Sequence, residues 1–181
     1  ATGRTRVHGI QTWIALPRAE EERGPSFAHH GVASLPRVER PGVILTVIAG
    51  TAYGEQSPVD VFAPTLYVDA RLADEAVLEV PDEHVQRACY VAQGRIEIAG
   101  QAYGEGQFIV LASAAGPVSM RALETARVML AGGAPLDGPR HLYWNFVSST
   151  RERIEVARRD WRERKFAPVP GDADRIPLPD E

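Results

Sequence analysis

Cysteine is all but missing from this chain: Cys89 is the only one in 181 residues. A single thiol excludes an internal disulfide and any thiolate cluster for zinc, and it fits a reducing, cytoplasmic setting. Its neighbours Ala88, Tyr90 and Val91 mark it as a buried strand residue rather than a nucleophile. Long apolar runs are missing too. The longest, Val43 to Ala49 with Thr46 inside it, falls far short of the roughly 20 residues of a membrane helix and suits one buried strand. There is no excess of positive charge: a net charge of −4 and a pI near 5.8 argue against a nucleic-acid partner. An initiator Met, an apolar signal core and a transit peptide are all lacking. The opening Ala1-Thr2-Gly3-Arg4-Thr5-Arg6 therefore reads as a fragment of something longer.

What is present is the composition of an ordinary globular protein, 44% hydrophobic and 24% charged, enough to build a core. Apolar periodicity is short, as in strands. Val7–Leu16 reads as a strand stopped by Pro17. Residues 18–40, with Glu20-Glu21-Glu22, Gly24-Pro25 and Leu35-Pro36, read as a connector with a short strand near Val32–Val38. Further strands are predicted at Val43–Ala49, Thr65–Ala70, Ala76–Val80, Arg87–Ala92, Arg95–Ala99, Gln107–Ala112, Val118–Leu123 and Ala126–Ala131. In the stretch from Tyr90 to Gly100, Ile96 and Ile98 share one face while Arg95 and Glu97 take the other. About eight short strands with turns every 8–12 residues predict a sandwich or barrel, most naturally a jelly roll.

One helix is predicted, near the end. Ser149-Thr150-Arg151-Glu152 fits a capping box with Ser149 as the cap. Ile154, Ala157 and Trp161 then recur at helical spacing, and Trp161 is expected to anchor the helix on the barrel together with Ile154 and Phe166. Its basic residues Arg158, Arg159, Arg162, Arg164 and Lys165 alternate with Glu152, Glu155, Asp160 and Glu163, so the face reads as solvated rather than anion-binding. It is expected to end by Lys165–Ala167, before Pro168, and an extended tail follows.

Candidate chemistry is sparse. A mononuclear metal needs three or four converging imidazole and carboxylate ligands. Glu83 and His84 are the weak candidates for a metal, but Gln86 stands where a second histidine would complete a His-x-His pair. Glu97 and Glu124 lie further along. His29-His30 point oppositely on an extended chain and chelate poorly, and His8 and His141 read as junction and packing residues. No histidine is spaced with a carboxylate and a Ser or Cys nucleophile for a hydrolytic triad. Gly104-Glu105-Gly106 is too little for a phosphate cradle.

The two ends of the chain resemble one known family. Val7-His8-Gly9-Ile10-Gln11-Thr12-Trp13-Ile14-Ala15-Leu16-Pro17 is similar to the pirin segment that passes from the first cupin domain to the second. The stretch from Gly138 to Ser149, the following Glu152-Arg153-Ile154-Glu155, and the ending from Val169 to Pro179 resemble the C-terminal signature of bacterial pirin-like proteins. The resemblance implies an all-β, jelly-roll (cupin-like) barrel with a C-terminal α-helix and extended tail. Residues 1–40 would be strand and connector from the interdomain region, 41–147 the C-terminal barrel, and 148–181 the helix and tail packed on it.

In that family iron sits in the N-terminal barrel, held by a His-x-His and a His-x-Glu pair. Neither pattern occurs in this sequence, so no ligand carries over to any residue here. The resemblance therefore implies a metal-free, non-catalytic domain acting as scaffold or protein-interaction module. The alternative is part of an iron-dependent flavonol (quercetin) dioxygenase whose metal lies in the N-terminal domain. Expected partners are that N-terminal cupin domain, another protein, or a second copy meeting Ile10, Trp13 and Ile14, unless the connector covers those residues.

Overall fold

The computed structural model describes residues 9–112, 116–168, 171, 174 and 176–179. The short apolar runs become strands: β1 (Arg37–Arg40), β2 (Val43–Ala52), β3 (Glu55–Gln56), β4 (Thr65–Leu72), β5 (Val77–Val80), β6 (Gln86–Gln93), β7 (Arg95–Ile98), β8 (Gln101–Gly104), β9 (Phe108–Leu111), β10 (Val118–Ala122), β11 (Ala126–Gly133), β12 (His141–Tyr143) and β13 (Phe146–Ser148). Helix α1 (Arg151–Arg162) follows. The chain divides into two compact units, one of residues 23–135 and one joining the residues up to Glu22 with those from Leu136 onward.

The larger unit holds β1 to β11. A seven-stranded sheet runs β1-β2-β4-β11-β6-β9 with β3 attached to β2, and a four-stranded sheet runs β5-β10-β7-β8. The ladders are antiparallel, and non-consecutive neighbours such as β4-β11-β6 give the crossovers of a jelly roll. Period-two alternation decides what lies between the sheets. Leu66, Val68, Ala70 and Leu72 of β4 face inward, as do Val43, Leu45 and Val47 of β2. Leu78, Ile96 and Met120 meet them from the smaller sheet. Burying each large aliphatic contributes about 1.5–3 kcal/mol. Gly50, at φ 76°, passes so close to β4 that a Cβ there would run into the Thr65 carbonyl.

The smaller unit is built from both ends of the chain. The β12–β13 hairpin turns through Trp144 and Asn145, and Trp144 takes φ 49°, an uncommon conformation for a bulky side chain. Its ring is held by neighbours: Phe146 at 5.6 Å and Trp161 of α1 at 5.1 Å, both edge-to-face. Phe166 packs on Phe146 and Trp161 from beyond the helix. Ile154 and Ala157 are the buried stripe of α1.

Several expectations are corrected. Within the described part of Val7–Leu16 there is no strand; residues 9–17 run irregularly into a 3-10 turn at Arg18–Glu20. Apolar residues in a short segment do not make a strand by themselves, because its backbone groups need a neighbouring ladder. The connector forms a 3-10 turn at Val32–Ser34, and its strand is β1, displaced to Arg37–Arg40 by pairing with β2. The helix cap is Thr150, whose hydroxyl accepts the Arg153 amide at 3.3 Å. Ser149 is occupied instead by Glu21, which accepts both its hydroxyl and its amide.

Candidate functional site

Three polar side chains draw attention in the larger unit: His84 in the segment leading into β6, Arg87 on β6 and Tyr53 in the turn after β2. His84 is buried and sits 2.9 Å from the Thr51 carbonyl through Nε2. A carbonyl only accepts, so Nε2 donates. Its neighbour Glu83 is exposed. The Tyr53 hydroxyl donates to the Glu79 carbonyl at 2.9 Å. Burial pushes its phenol well above the ordinary tyrosine range, with the Arg40 guanidinium opposing. Arg87 is almost wholly buried and donates to the carbonyls of Pro81, at 3.3 Å, and Gly116, at 2.9 Å.

Cys89 is fully buried on the same strand, and desolvation pushes its thiol up to about 12 against the pull of Arg87. It is therefore a packing residue. Ellman's reagent should leave it untouched in the folded protein at pH 8 and titrate it fully after denaturation. Rapid labelling of the native chain would contradict this placement.

None of this assembles a metal centre. Among the described residues no group of three or more His, Cys, Asp or Glu side chains is arranged to hold an ion. His84 spends one nitrogen on Thr51 and Glu83 points to solvent, so the two weak candidates do not converge. The core of the same unit is built from apolar side chains, with Leu45, Leu66, Leu78, Ile96 and Met120 each fully buried. These residues do not fit iron.

The remaining candidates are scattered. His29 is exposed and His30 half-buried in the connector, His141 lies on β12, and His8 lies outside the described residues. Glu97 pairs with Arg121 at 3.4 Å, and Glu124 is an exposed turn residue. Gly104-Glu105-Gly106 is the turn between β8 and β9, where the Gly104 amide donates to Gln107 Oε1. On the C-terminal helix, Arg158 pairs with Glu155 while stacking over Tyr143, and just past its end Lys165 pairs with Asp160 and Glu163.

One polar cluster escaped the sequence reading altogether. Arg140, its side chain only 6% exposed, lies 2.7 Å from Glu21 and donates to Asp137 and to the Leu16 carbonyl. The Glu21–Arg140 pair is close in charge but poorly aligned as a hydrogen bond. The second Glu21 oxygen accepts from Ser149, while Arg18 donates to Asp137 at 3.0 Å and Arg153 to Glu22 at 2.6 Å. Burial alone would raise the Glu21 carboxyl. The Ser149 hydrogen bonds and the Arg140 charge outweigh it and hold the group below the usual range. The cluster ties residues 16–22 to the hairpin and helix of the smaller unit. Its members are far apart in sequence, so no local spacing announces it.

The comparisons with known proteins agree with one another. Residues 67–167 match the family described as the pirin C-terminal cupin domain. A pirin-like protein of Caulobacter vibrioides is 44% identical, over 97% of this chain and 61% of its own length. Mouse pirin is 29% identical over 88% of this chain and 57% of its own. The crystal structure of a quercetin 2,3-dioxygenase from Acinetobacter baumannii is 28% identical with a TM-score of 0.83, covering 92% of this chain and 56% of that one. The chain thus spans little more than half the length of these relatives.

Proposed function

The chain belongs to the pirin family through its C-terminal cupin domain, and from that premise we propose that it is a metal-free scaffold half, shaped to seat an N-terminal cupin domain rather than to do chemistry itself. The observation that carries this reading is the filled interior. Where an open cupin-type barrel would need converging ligands, this one has Leu45, Leu66, Leu78, Ile96 and Met120 packed without exposure. A site of that composition offers no nucleophile, no general base and no ligand set. A seat for another domain is suggested by the smaller unit. Ile10, Trp13 and Ile14 are 43%, 51% and 58% exposed along an irregular segment. Apolar side chains grouped in this way favour a covering partner.

A second reading has one observation in its favour: the likeness to a protein named as a quercetin 2,3-dioxygenase. In that reading the whole protein oxygenates a flavonol, with iron in the N-terminal cupin domain and this half closing over it. One experiment serves both. The chain alone, and the chain extended by its upstream sequence, are purified from iron-supplemented cells, then assayed for bound metal and for quercetin-dependent oxygen uptake. The chain alone should carry no stoichiometric metal and consume no oxygen. Iron and activity in the extended protein alone would support the second reading with the scaffold role intact. One tightly held metal per chain, lost on His84→Ala, would overturn the scaffold reading.

A further inference from the structure

The two edges of the seven-stranded sheet differ in chemistry. At one end β1 has the sequence Arg-Val-Glu-Arg, with Arg37 and Glu39 joined at 2.7 Å. Charges of this kind guard an edge against pairing with another strand. At the other end β9 reads Phe-Ile-Val-Leu, without a charge or a proline, and Phe108 and Val110 are 61% and 75% exposed. Open aliphatic edges are uncommon in proteins that stay single, because their free backbone groups are a template for a further strand.

The hydrogen bonds say which groups are free. Gly106 at φ 84° donates to the Val91 carbonyl while the Val91 amide donates to the Gln107 carbonyl, a bulge of the glycine type. From Gln107 onward the register against β6 is regular, with Cys89 opposite Ile109 and Arg87 opposite Leu111. In an antiparallel pair, alternate residues turn their backbone groups to the same neighbour. Gln107, Ile109 and Leu111 therefore address β6. Phe108 and Val110 direct their N–H and C=O groups away from the sheet.

We propose that β9 is a self-pairing edge through which two copies of this chain join antiparallel, about a two-fold axis at Ile109. That register sets Phe108 of each copy opposite Val110 of the other, and it matches free donors to free acceptors at both residues. Residues directly opposite share a face, so the exposed side chains stay together on the outer face and Ile109 meets its own copy on the inner one. Any one-residue shift would set outward side chains against inward ones. The occupant is a second copy on two grounds. The uncharged edge meets its own image without repulsion, and the surfaces are complementary. On the outer face beside β9 lies a trough of about 380 Å³ whose lining includes the small side chains of Ala88 and Ala131 and the wall residue Val110. The paired register brings Phe108 of the second copy to the Val110 lip of that trough. Such an isologous contact closes on itself as a dimer.

The test is sedimentation of the full chain over a wide concentration range, with amide hydrogen exchange at the two extremes. A reversible dimer is expected, with the Phe108 and Val110 amides exchanging more slowly as concentration rises. Val110→Lys should weaken association by at least about tenfold by charging the edge. Val110→Pro removes only an outward-facing N–H and spares the β6 ladder, so it should do the same in a chain whose circular dichroism is unchanged. A monomer at every concentration overturns the proposal, as does a dimer that survives both substitutions. A dimer abolished by Trp13→Ala but not by Val110→Lys also overturns it, by assigning association to the exposed segment at 10–14.

Discussion

Trp161→Ala should melt helix α1 and lower the denaturant midpoint of the smaller unit sharply, whereas Arg162→Ala, one residue on, should hardly move it. The Trp161 ring meets Trp144 at 5.1 Å, Phe166 at 5.4 Å and Phe146 at 6.2 Å, and its Nε1–H donates to the Ile176 carbonyl at 2.9 Å. It joins three segments: hairpin, helix and tail. Truncating an aromatic side chain in a packed site costs about 3–5 kcal/mol. Trp161 is half-buried, so the lower part of that range applies. Even this is a large share for a domain whose whole stability is about 5–15 kcal/mol. Releasing Trp144 from its ring contacts also removes what stabilises its left-handed backbone. Urea titration followed by helical circular dichroism and tryptophan fluorescence measures both substitutions. Equal midpoints for the two would mean that the rings do not hold the helix.

How much of this was legible in the sequence depended on whether the signal was local. The strands of the two sheets are written in period-two runs bounded by turn residues. Those predicted at Thr65–Ala70, Arg87–Ala92, Arg95–Ala99 and Ala126–Ala131 appear within two residues of their observed ends. β8 was not foreseen because Gln-Ala-Tyr-Gly carries little alternation, and it exists only as the partner of β7. A last strand around His141–Trp144 was legible, but its pairing with β13 was hidden, since the turn uses Trp144 and Asn145 where a reader looks for Asn-Gly. Conversely, Val7–Leu16 reads as a strand with Ile10 and Trp13 among its apolar positions, yet its described part is not one, because no described strand pairs with it. The cap slipped from Ser149 to Thr150 for a tertiary reason: Glu21 claims Ser149 from more than a hundred residues away.

The candidate site shows the same boundary. The lack of paired histidines could be counted from the sequence, and so the absence of a ligand set carried over from the family was legible. That His84 would be buried with Nε2 donating to the Thr51 carbonyl was not, because the partner lies on another strand. Glu21 was read only as part of the acidic run in the connector, and Arg140 only as part of the stretch from Gly138 to Ser149. Only the fold makes them neighbours.

That pair sets the second large effect, an acid-sensitive step in the smaller unit. Arg140→Ala would leave the Glu21 carboxylate, 13% exposed, without its cation and strip the Leu16 carbonyl and Asp137 of a donor. Breaking a buried pair from one side costs about 3–5 kcal/mol, and the partial exposure of this one places it near 3. Protonation should do the same more gently. Hydrogen bonds from Ser149 and the charge of Arg140 hold the Glu21 carboxyl below its ordinary value, against the opposing effect of burial, and Arg140 and the Arg18 amide do likewise for Asp137. For a group whose folded pKa is depressed, the stability it confers is fully present above the unfolded pKa and is lost as pH falls through the folded one. The midpoint followed by α1 should therefore be flat from neutrality to about pH 5 and fall below about pH 4, where free carboxyls titrate. Glu21→Gln keeps the shape and part of the hydrogen bonding but removes the proton-dependent charge. It should be less stable than wild type at pH 7 and lose less on acidification, so that the two curves converge at low pH. Parallel curves would exclude Glu21 as the carboxylate responsible. A double-mutant cycle with Arg140→Met then separates the ion pair from the Ser149 contacts, because only the former vanishes when either charge is gone.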